Sequence, residues 1–511
     1  MSKVVYVREG NTGILFLKDE GGRESRFIPN YDMDDAQSML MRFQGIKDEC
    51  DIALKDNYHV KGNNWYPSMV SFLFWSVFFP YVKYRDLVDD FLAGTKEFRF
   101  TNTGTFSRLM GLFQPSGILS QCKIRIFFFL IWLNNAYVVR RHKTALLFFR
   151  FAKNDFRSVE IRKVLDQHGA AYTEVLPPGR IIDVLRNILN GTPRYFFGSY
   201  TTRNVFRKKY DLGSLRPGKR RLVQRAIEIT EATITGYLGE YSRHERTLAG
   251  RGFKTFYGFD DANGYIFPIL YACNDLGIRT IAHQHGAYVR RHAAYAMEGI
   301  NRSEYRWFGK VIVWGEYWKQ QLLKISDAYS PDQIVVGSNK LSWNYEPQGD
   351  RPDGTRSVLI PYEFLTNTFK VGLYIRRFID LGYKVYFKVR SDESINDQIE
   401  AYCLPEEVRS KLIIVEKLDN ALLKEIAIVA GTMTTLIYEL LPYGKIVWIL
   451  ETEYRHLEDL VEEGYAHKVR YEDLDRLDAS YFTKPNIERE FLFSRISLEQ
   501  TLKEHVLAQS N

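Results

Sequence analysis

The chain has 511 residues, of which 45% are hydrophobic and 15% aromatic, so it can fill two or three globular cores and is not a disordered protein. Its net charge of +8 favours an acidic partner, such as nucleic acid, an anionic membrane or an anionic small molecule. Its four cysteines form no CxxC pair, which argues against a disulfide framework and a zinc site and fits a cytoplasmic protein.

Residues 3–30 predict short strands, and helices follow up to about residue 140. Two intensely apolar stretches lie in this part, at 71–82 and 124–133. Both are too short to cross a bilayer, which needs about 20 residues. We interpret them as buried core helices. The alternative is peripheral docking at the inner face of the cytoplasmic membrane, with the basic residues 140–143 at the lipid headgroups.

From residue 144 onward, apolar strands alternate with amphipathic helices, which predicts parallel sheets in an α/β fold. The pattern starts again near residue 357 after a linker-like segment. We therefore predict two Rossmann-like domains facing a cleft, with extra strands and helices at residues 1–140. The first domain covers residues 1–310 and the second covers 345–475. The helical tail, 476–511, is expected to pack back onto the first domain.

One turn of the second domain predicts a phosphate site. The strand IAIVA ends at Gly431, and a helix is predicted to open directly after it, so its backbone N–H groups would face a ligand. Glu439, one turn later, could bind ribose hydroxyls. The alternative is ordinary helix capping by Thr432, with Glu439 in solvent. The remaining candidates in this turn are Thr434 and Thr435.

Two other strand ends of the second domain are expected at the same cleft. Lys388 and Arg390 follow the strand KVYFK, where two cations could neutralise a phosphate or a sugar carboxylate. Tyr362 and Glu363 follow the preceding strand and are also candidates for donor binding. Ordinary surface charge is the alternative for the two cations.

The first domain carries candidate catalytic groups at its own strand ends. Asp260 and Asp261 follow one strand and His285 follows the next, so a carboxylate and an imidazole are expected side by side. Asp261 better fits a helix cap, which favours Asp260 for chemistry. Glu174 is a further candidate acid.

The segment RTIAHQHGAY surrounds His285. We interpret His283 as a supporting core residue, and Gly286 as a position that leaves room for a ligand. The candidates for contact with the acceptor or with an anion are Gln284, Gly286, Tyr288 and Arg290.

Together, the Gln-His-Gly motif, the Lys-x-Arg strand end and the Gly-Thr-x-Thr-Thr turn with its glutamate resemble bacterial surface-polysaccharide glycosyltransferases of the GT-B class. Within that class, these motifs are most similar to those of the retaining β-Kdo transferases of capsule and lipopolysaccharide synthesis. The resemblance covers residues 250–455. Lys388-Val389-Arg390 departs from the Lys-x-His-Pro form of capsule enzymes, which puts the donor in question.

No metal site is evident in the sequence, so we expect a metal-independent transferase without a cofactor. The resemblance implies the substrates of this transferase. Its donor would be a CMP-linked sugar, Kdo or a related ulosonic acid, and its acceptor a lipid-linked capsule, O-antigen or lipopolysaccharide glycan. An aspartate, Asp260 or Asp261, would act as nucleophile with net retention. Separately from the resemblance, the basic run at 203–221 could face an anionic acceptor or membrane, and the alternative is a solvated loop. No nucleic-acid-binding motif is found, and nucleic acid is not expected as a partner.

Two alternatives stay open. One is a CDP-polyol phosphotransferase of the teichoic acid type, with His285 as base. Such enzymes carry a second histidine near the phosphate turn, whereas His456 and His467 lie beyond the last strand of this chain. The other alternative is a non-enzymatic module that binds a nucleotide or a glycan.

Overall fold

The structure is a computed structural model. It describes residues 3–10, 13–113, 118–151, 155, 158–198, 205–206, 208–259, 261, 264–290, 292–295, 307–327, 329–338, 356–363, 365–390, 394–453, 455–477, 485 and 487–508. Asp260 therefore lies outside the described residues, as do parts of the loops that follow the strands.

The N-terminal extension is a small sheet packed on helices. Its strands follow the order β3-β2-β1-β6, with β1 and β6 parallel, and a two-residue hairpin lies apart from it. The strands are β1 Lys3–Glu9, β2 Leu15–Asp19, β3 Glu24–Phe27, β4 His59–Val60, β5 Asn63–Asn64 and β6 Lys96–Phe100. The helices are α1 Met33–Gln44, α2 Pro67–Leu73, α3 Phe79–Lys83, α4 Arg85–Leu92 and α5 Thr105–Leu112.

The first large sheet has seven strands in the order β13-β12-β11-β10-β7-β8-β9, and all of its paired strands are parallel. They are β7 Leu146–Phe149, β8 Tyr172–Leu176, β9 Arg194–Phe196, β10 Thr255–Gly258, β11 Arg279–His283, β12 Lys310–Val313 and β13 Ile334–Val336. The helices around it are α6 Ile118–Arg141, α7 Val159–Gln167, α8 Ile181–Asn190, α9 Pro217–Leu248, α10 Phe267–Asp275 and α11 Glu316–Ile325.

The second sheet has six parallel strands in the order β16-β15-β14-β17-β18-β19. They are β14 Ser357–Pro361, β15 Lys384–Lys388, β16 Ile413–Val415, β17 Ile428–Gly431, β18 Ile446–Leu450 and β19 His467–Val469. Its helices are α12 Thr368–Asp380, α13 Ile395–Glu400, α14 Glu406–Arg409, α15 Asn420–Glu425, α16 Leu436–Leu440 and α17 Glu458–Glu462.

The tail returns to the first domain. It contains α18, Arg489–Leu492, and α19, Leu498–Leu502, which continues as one π-helical turn. Leu498 and Leu502 pack into the same buried cluster as Phe148 and Tyr257 of the first large sheet. The expected docking of the tail is confirmed.

The predicted fold class is confirmed, since two parallel α/β sheets surround a cleft and an N-terminal extension precedes them. The predicted limit of the first domain at residue 310 is too early. Strands β12 and β13 pair with its sheet and carry it to Val336. Their apolar runs are short, so the sequence alone does not show which sheet they join.

The two apolar stretches differ. The first forms α2, a π-helical turn and α3, and most of its large side chains are buried, as predicted, although Phe72 and Trp75 are only half-buried. The second forms the middle of α6, where Phe129 and Trp132 remain exposed, so it is not a buried core helix. Among the described residues, no helix is long and apolar enough to cross a membrane.

Candidate functional site

The carboxyl ends of both parallel sheets meet at one cavity of about 750 Å³. In each sheet the strand order reverses at one place, between β7 and β10 in the first and between β14 and β17 in the second. Such switch points are where open parallel sheets bind ligands. The polar residues that line the cavity are Asp155, His285, His292, Tyr295, Tyr362, Glu363, Lys388, Arg390, Thr434, Thr435 and His456.

The predicted phosphate turn is occupied by a carboxylate of the protein itself. Glu363 is almost fully buried, and it accepts hydrogen bonds from the backbone N–H groups of Thr432 at 2.8 Å, Met433 at 2.7 Å and Thr434 at 2.8 Å. The Thr432 hydroxyl donates to it at 2.6 Å. Burial raises the pKa of Glu363, and these hydrogen bonds oppose that rise.

The prediction that these N–H groups bind a donor phosphate is therefore wrong for this structure. Thr432 is wholly buried and cannot touch a ligand. Gly431 permits a close approach as predicted, but to Glu363, since a Cβ there would lie 3.0 Å from the Glu363 Oε1. Thr434 and Thr435 do line the cavity.

The two predicted cations line the cavity together. Burial lowers the pKa of the half-buried Lys388, although the charge of Glu416 opposes this. The backbone of Arg390 is fixed by the buried Gln398, whose side chain accepts from its N–H and donates to its carbonyl, both at 2.8 Å. Sequence reasoning missed Gln398, since it lies within a short helix and no motif marks it.

Tyr362 lines the cavity as predicted, and Glu439 is not among the described lining residues. Glu439 lies on α16, one turn beyond the occupied phosphate turn, and it is half-buried. Its role in holding a ribose stays a prediction.

In the Gln-His-Gly segment, only His285 and Gly286 reach the cavity. Gln284 was predicted to contact the acceptor, but it is wholly buried. Its Oε1 accepts from the backbone N–H of Trp314 at 2.9 Å, and its Nε2 donates to the carbonyl of Gly286 at 2.8 Å. Gln284 therefore fixes the loop that presents His285.

His283 is the supporting residue that the sequence predicted. It is wholly buried, and its Nδ1 lies 2.6 Å from the hydroxyl of Tyr257. Burial lowers the pKa of His283 to about 3, so the ring is neutral at physiological pH.

Asp261 is buried beneath the cavity and does not line it. Its carboxylate accepts hydrogen bonds from the hydroxyls of Tyr288 at 3.3 Å, Tyr295 at 2.6 Å and Tyr329 at 3.4 Å. Tyr295 itself lines the cavity, so Asp261 can affect a ligand through this tyrosine. Its predicted role as a nucleophile is not supported by this geometry.

The structure contradicts three other predicted roles, two as ligand contacts and one as a catalytic acid. Tyr288 is buried against Asp261 and does not reach an acceptor. Arg290 pairs with Glu462 at 2.9 Å, and its backbone N–H donates to Asp459 at 2.9 Å, so it joins the two domains. Glu174 is the third, and it lies away from the cavity.

Glu174 belongs to a buried cluster of charges on β8. It pairs with Arg150 at 2.6 Å, Arg194 at 3.0 Å and Arg162 at 3.6 Å. Burial alone would raise the pKa of Glu174, but hydrogen bonds from Arg194 and Arg150 hold it below its usual value. A carboxylate in this state is a poor acid, so Glu174 has a structural role.

Sequence reasoning missed two lining residues that carry chemistry. Asp155 follows β7, beside the switch point of the first sheet, and its position six residues after the strand was the available signal. His456 follows β18 and faces the same cavity as His285. Burial, with a smaller contribution from the nearby His292, lowers the pKa of His456 to about 3. The assumption that His456 lies away from the phosphate turn is wrong.

Neither a family model nor a curated protein sequence matches the chain. Several solved structures do match it, at low sequence identity. MurG from Acinetobacter baumannii is 13% identical, with a TM-score of 0.34 over 66% of this chain and 87% of MurG. The lipopolysaccharide outer core galactosyltransferase WaaB is 10% identical, with a TM-score of 0.36 over 65% and 87%. UDP-GlcNAc 2-epimerase from Methanocaldococcus jannaschii is 11% identical, with a TM-score of 0.41 over 71% and 99%. Such values transfer no activity, so the function must be argued from the cleft.

Proposed function

We propose that this protein is a nucleotide-sugar-dependent glycosyltransferase. The observation that carries the proposal is the composition of the cleft. Lys388, Arg390 and the half-buried Thr434 and Thr435 line the second-domain side, and His285 with Asp155 lines the first-domain side. Cations and hydroxyls suit a phosphorylated donor, while an imidazole and a carboxylate suit activation of a hydroxyl acceptor.

The preferred donor is a CMP-linked Kdo or related ulosonic acid. Such a donor carries one phosphate and one sugar carboxylate, which matches two cations in charge. Glu363 adds a negative charge to the same wall and disfavours a further phosphate there. The acceptor would be a lipid-linked glycan of capsule, O-antigen or lipopolysaccharide.

In the proposed reaction, a first-domain aspartate attacks C2 of the sugar, and CMP leaves with the bonding electron pair. The acceptor hydroxyl then attacks C2 and displaces the aspartate, while His285 accepts the hydroxyl proton. Two displacements retain the configuration at C2. Asp155 lines the cavity and is our candidate for this aspartate, and Asp260 stays the candidate from sequence.

The first test is protection from thermal unfolding by CMP, UDP and GDP. We expect CMP to raise the Tm most, and a larger effect of UDP or GDP would contradict the choice of donor. The Asp155→Asn and His285→Gln variants should each lower sugar transfer by about 100-fold or more while keeping protection by CMP. The matched control is Asp327→Asn, which replaces an exposed carboxylate outside the cleft by a carboxamide. Full activity of both cleft variants would favour the non-enzymatic binding module.

One observation supports a second candidate function. His456 and His285 line the same cavity, which is the pair of histidines expected of a CDP-polyol phosphotransferase. Incubation with CDP-glycerol and a lipid-linked acceptor tests this alternative. Release of CMP that depends on both histidines, without any transfer from CMP-sugars, would replace the glycosyltransferase proposal.

A further inference from the structure

The outward face of α6 is apolar where a surface helix is normally polar. Ile126 is 58% exposed, Phe129 56% and Trp132 44%, and the ring centroids of Phe129 and Trp132 lie 5.8 Å apart. The inward face of the same helix buries Ile131 and Val138. The helix therefore has its own core contacts, and its exposed aromatic residues are additional to them.

The neighbouring helix α8 extends this apolar face. Val184 of α8 is buried in the same small cluster as Ile131 of α6, so the two helices pack together. The outer side of α8 exposes Ile181, Ile182, Leu185 and Leu189, the last of them to 83%. Exposed apolar residues therefore lie on two helices that pack against each other, which is more than the single scattered apolar residues that a soluble surface normally carries.

A cavity of about 850 Å³ opens beside this face, and the charged residues that line it are positive. Arginines from α6, from α9 and from the turn after α9 line it together with the exposed Phe129 and Trp132. Among the described lining residues, none is acidic. The arginines are Arg125, Arg140, Arg243, Arg246 and Arg251.

We propose that this surface, made of α6, α8 and the arginine cavity, docks on an anionic membrane. The arginines take lipid phosphate groups, and Phe129 and Trp132 enter the interfacial layer beside them. Stable peripheral binding needs two such signals, one apolar and one basic, and this surface supplies both. The inference goes beyond the proposed function and does not depend on it, because none of these residues lines the cleft.

The observations favour a membrane over two other occupants. A second copy of the chain, docked through the same surface, would bring two sets of five arginines together. A nucleic acid would match the arginines and aromatic rings, but it would leave aliphatic residues such as Leu189 against a polar backbone. A bilayer surface satisfies both the charge and the aliphatic residues.

The test measures co-sedimentation of the full chain with phosphatidylcholine vesicles, with and without phosphatidylglycerol. We expect binding to the anionic vesicles, loss of most binding at high salt, and little binding to phosphatidylcholine alone. The Arg243→Gln/Arg246→Gln variant should lose about fivefold in partitioning for each arginine removed. The Phe129→Ser/Trp132→Ser variant should bind weakly at every salt concentration.

The Lys411→Gln/Lys417→Gln variant is the matched control, since it removes two exposed charges from the second domain. It should bind like the wild type, and equal losses in the control and the arginine variant would overturn the proposal. All these side chains are half-buried or exposed, so the Tm of each variant should stay close to that of the wild type. Failure of the wild type to bind anionic vesicles would also overturn the proposal. So would a dimer, or a complex with single-stranded RNA, that forms with the wild type and is abolished in the Phe129→Ser/Trp132→Ser variant.

Discussion

Glu363 puts a negative charge where the sequence motif predicts a ligand phosphate. Its position at the end of β14 and its approach to the cleft could be predicted, because parallel strands end at one rim. The hydrogen-bond partners of Glu363 could not be predicted. Contact with Thr432 depends on β14 lying beside β17, and a single sequence does not reveal this order of strands.

Removal of Glu363 should turn the occupied turn into an anion site. In Glu363→Ala, three backbone N–H groups lose their acceptor, each at a cost of about 1–3 kcal/mol, so the variant should be less stable. Inorganic sulfate should then raise the Tm of this variant more than that of the wild type. Glu407→Ala removes an exposed carboxylate as a control. Equal stabilisation of all three proteins by sulfate would show that the turn binds no anion.

His283 makes the stability dependent on pH. Its pKa in the folded protein is about 3, below the usual value near 6.5, so the unfolded chain binds more protons between these values. Stability contributed by the neutral ring is complete above pH 6.5 and falls by about 1.4 kcal/mol per pH unit as the pH drops towards 3. His283→Gln cannot take up this proton, so its unfolding free energy should decline less steeply with acid. Parallel slopes in urea titrations at several pH values would contradict this assignment.

At the scale of elements, local sequence patterns were sufficient to predict the bounds of helices that have clear start and stop signals. The sequence predicts a helix from 219 to about 248, and α9 spans Pro217–Leu248. A glycine directly after an amphipathic stretch predicts the end of a helix, and Gly169 and Gly191 both adopt the left-handed conformation there, with φ of 61° and 62°. Periodicity and glycine chemistry are local properties, so they can be read from one sequence.

Local sequence patterns did not predict burial or ligand contact where these depend on which other elements pack against a residue. The apolar stretches at 71–82 and 124–133 look alike in composition, yet one is buried and Phe129 of the other is exposed. The difference arises from which elements cover each helix, and this information is not local. The same limit explains Gln284 and Tyr288. Their types suit ligand contact, but the packing of Trp314 and Asp261 against them decides their roles.

For the whole molecule, the contact between the two domains determines how the two walls of the cleft face each other. Helix α11 of the first domain meets the end of α17 of the second. The carboxylate of Glu463 accepts from the hydroxyl of Tyr317 at 2.9 Å and from Lys324 at 3.0 Å, and Gln321 also donates to it. Next to it, Trp318 packs on Tyr438 with ring centroids 4.7 Å apart.

This contact predicts that Glu463 couples the domains more strongly than its neighbour Glu462. Glu463→Ala leaves three donors without their acceptor, and we expect a loss of about 2–4 kcal/mol and a broader or split unfolding transition in calorimetry. Glu462 and Arg290 form an exposed ion pair, worth about 0–1 kcal/mol, so Glu462→Ala is the matched control. Nucleotide protection should persist in both variants because Lys388 and Arg390 are untouched, while transfer should fall in Glu463→Ala alone. The same stability and rate in the two variants would show that the domains are held by the aromatic contact instead.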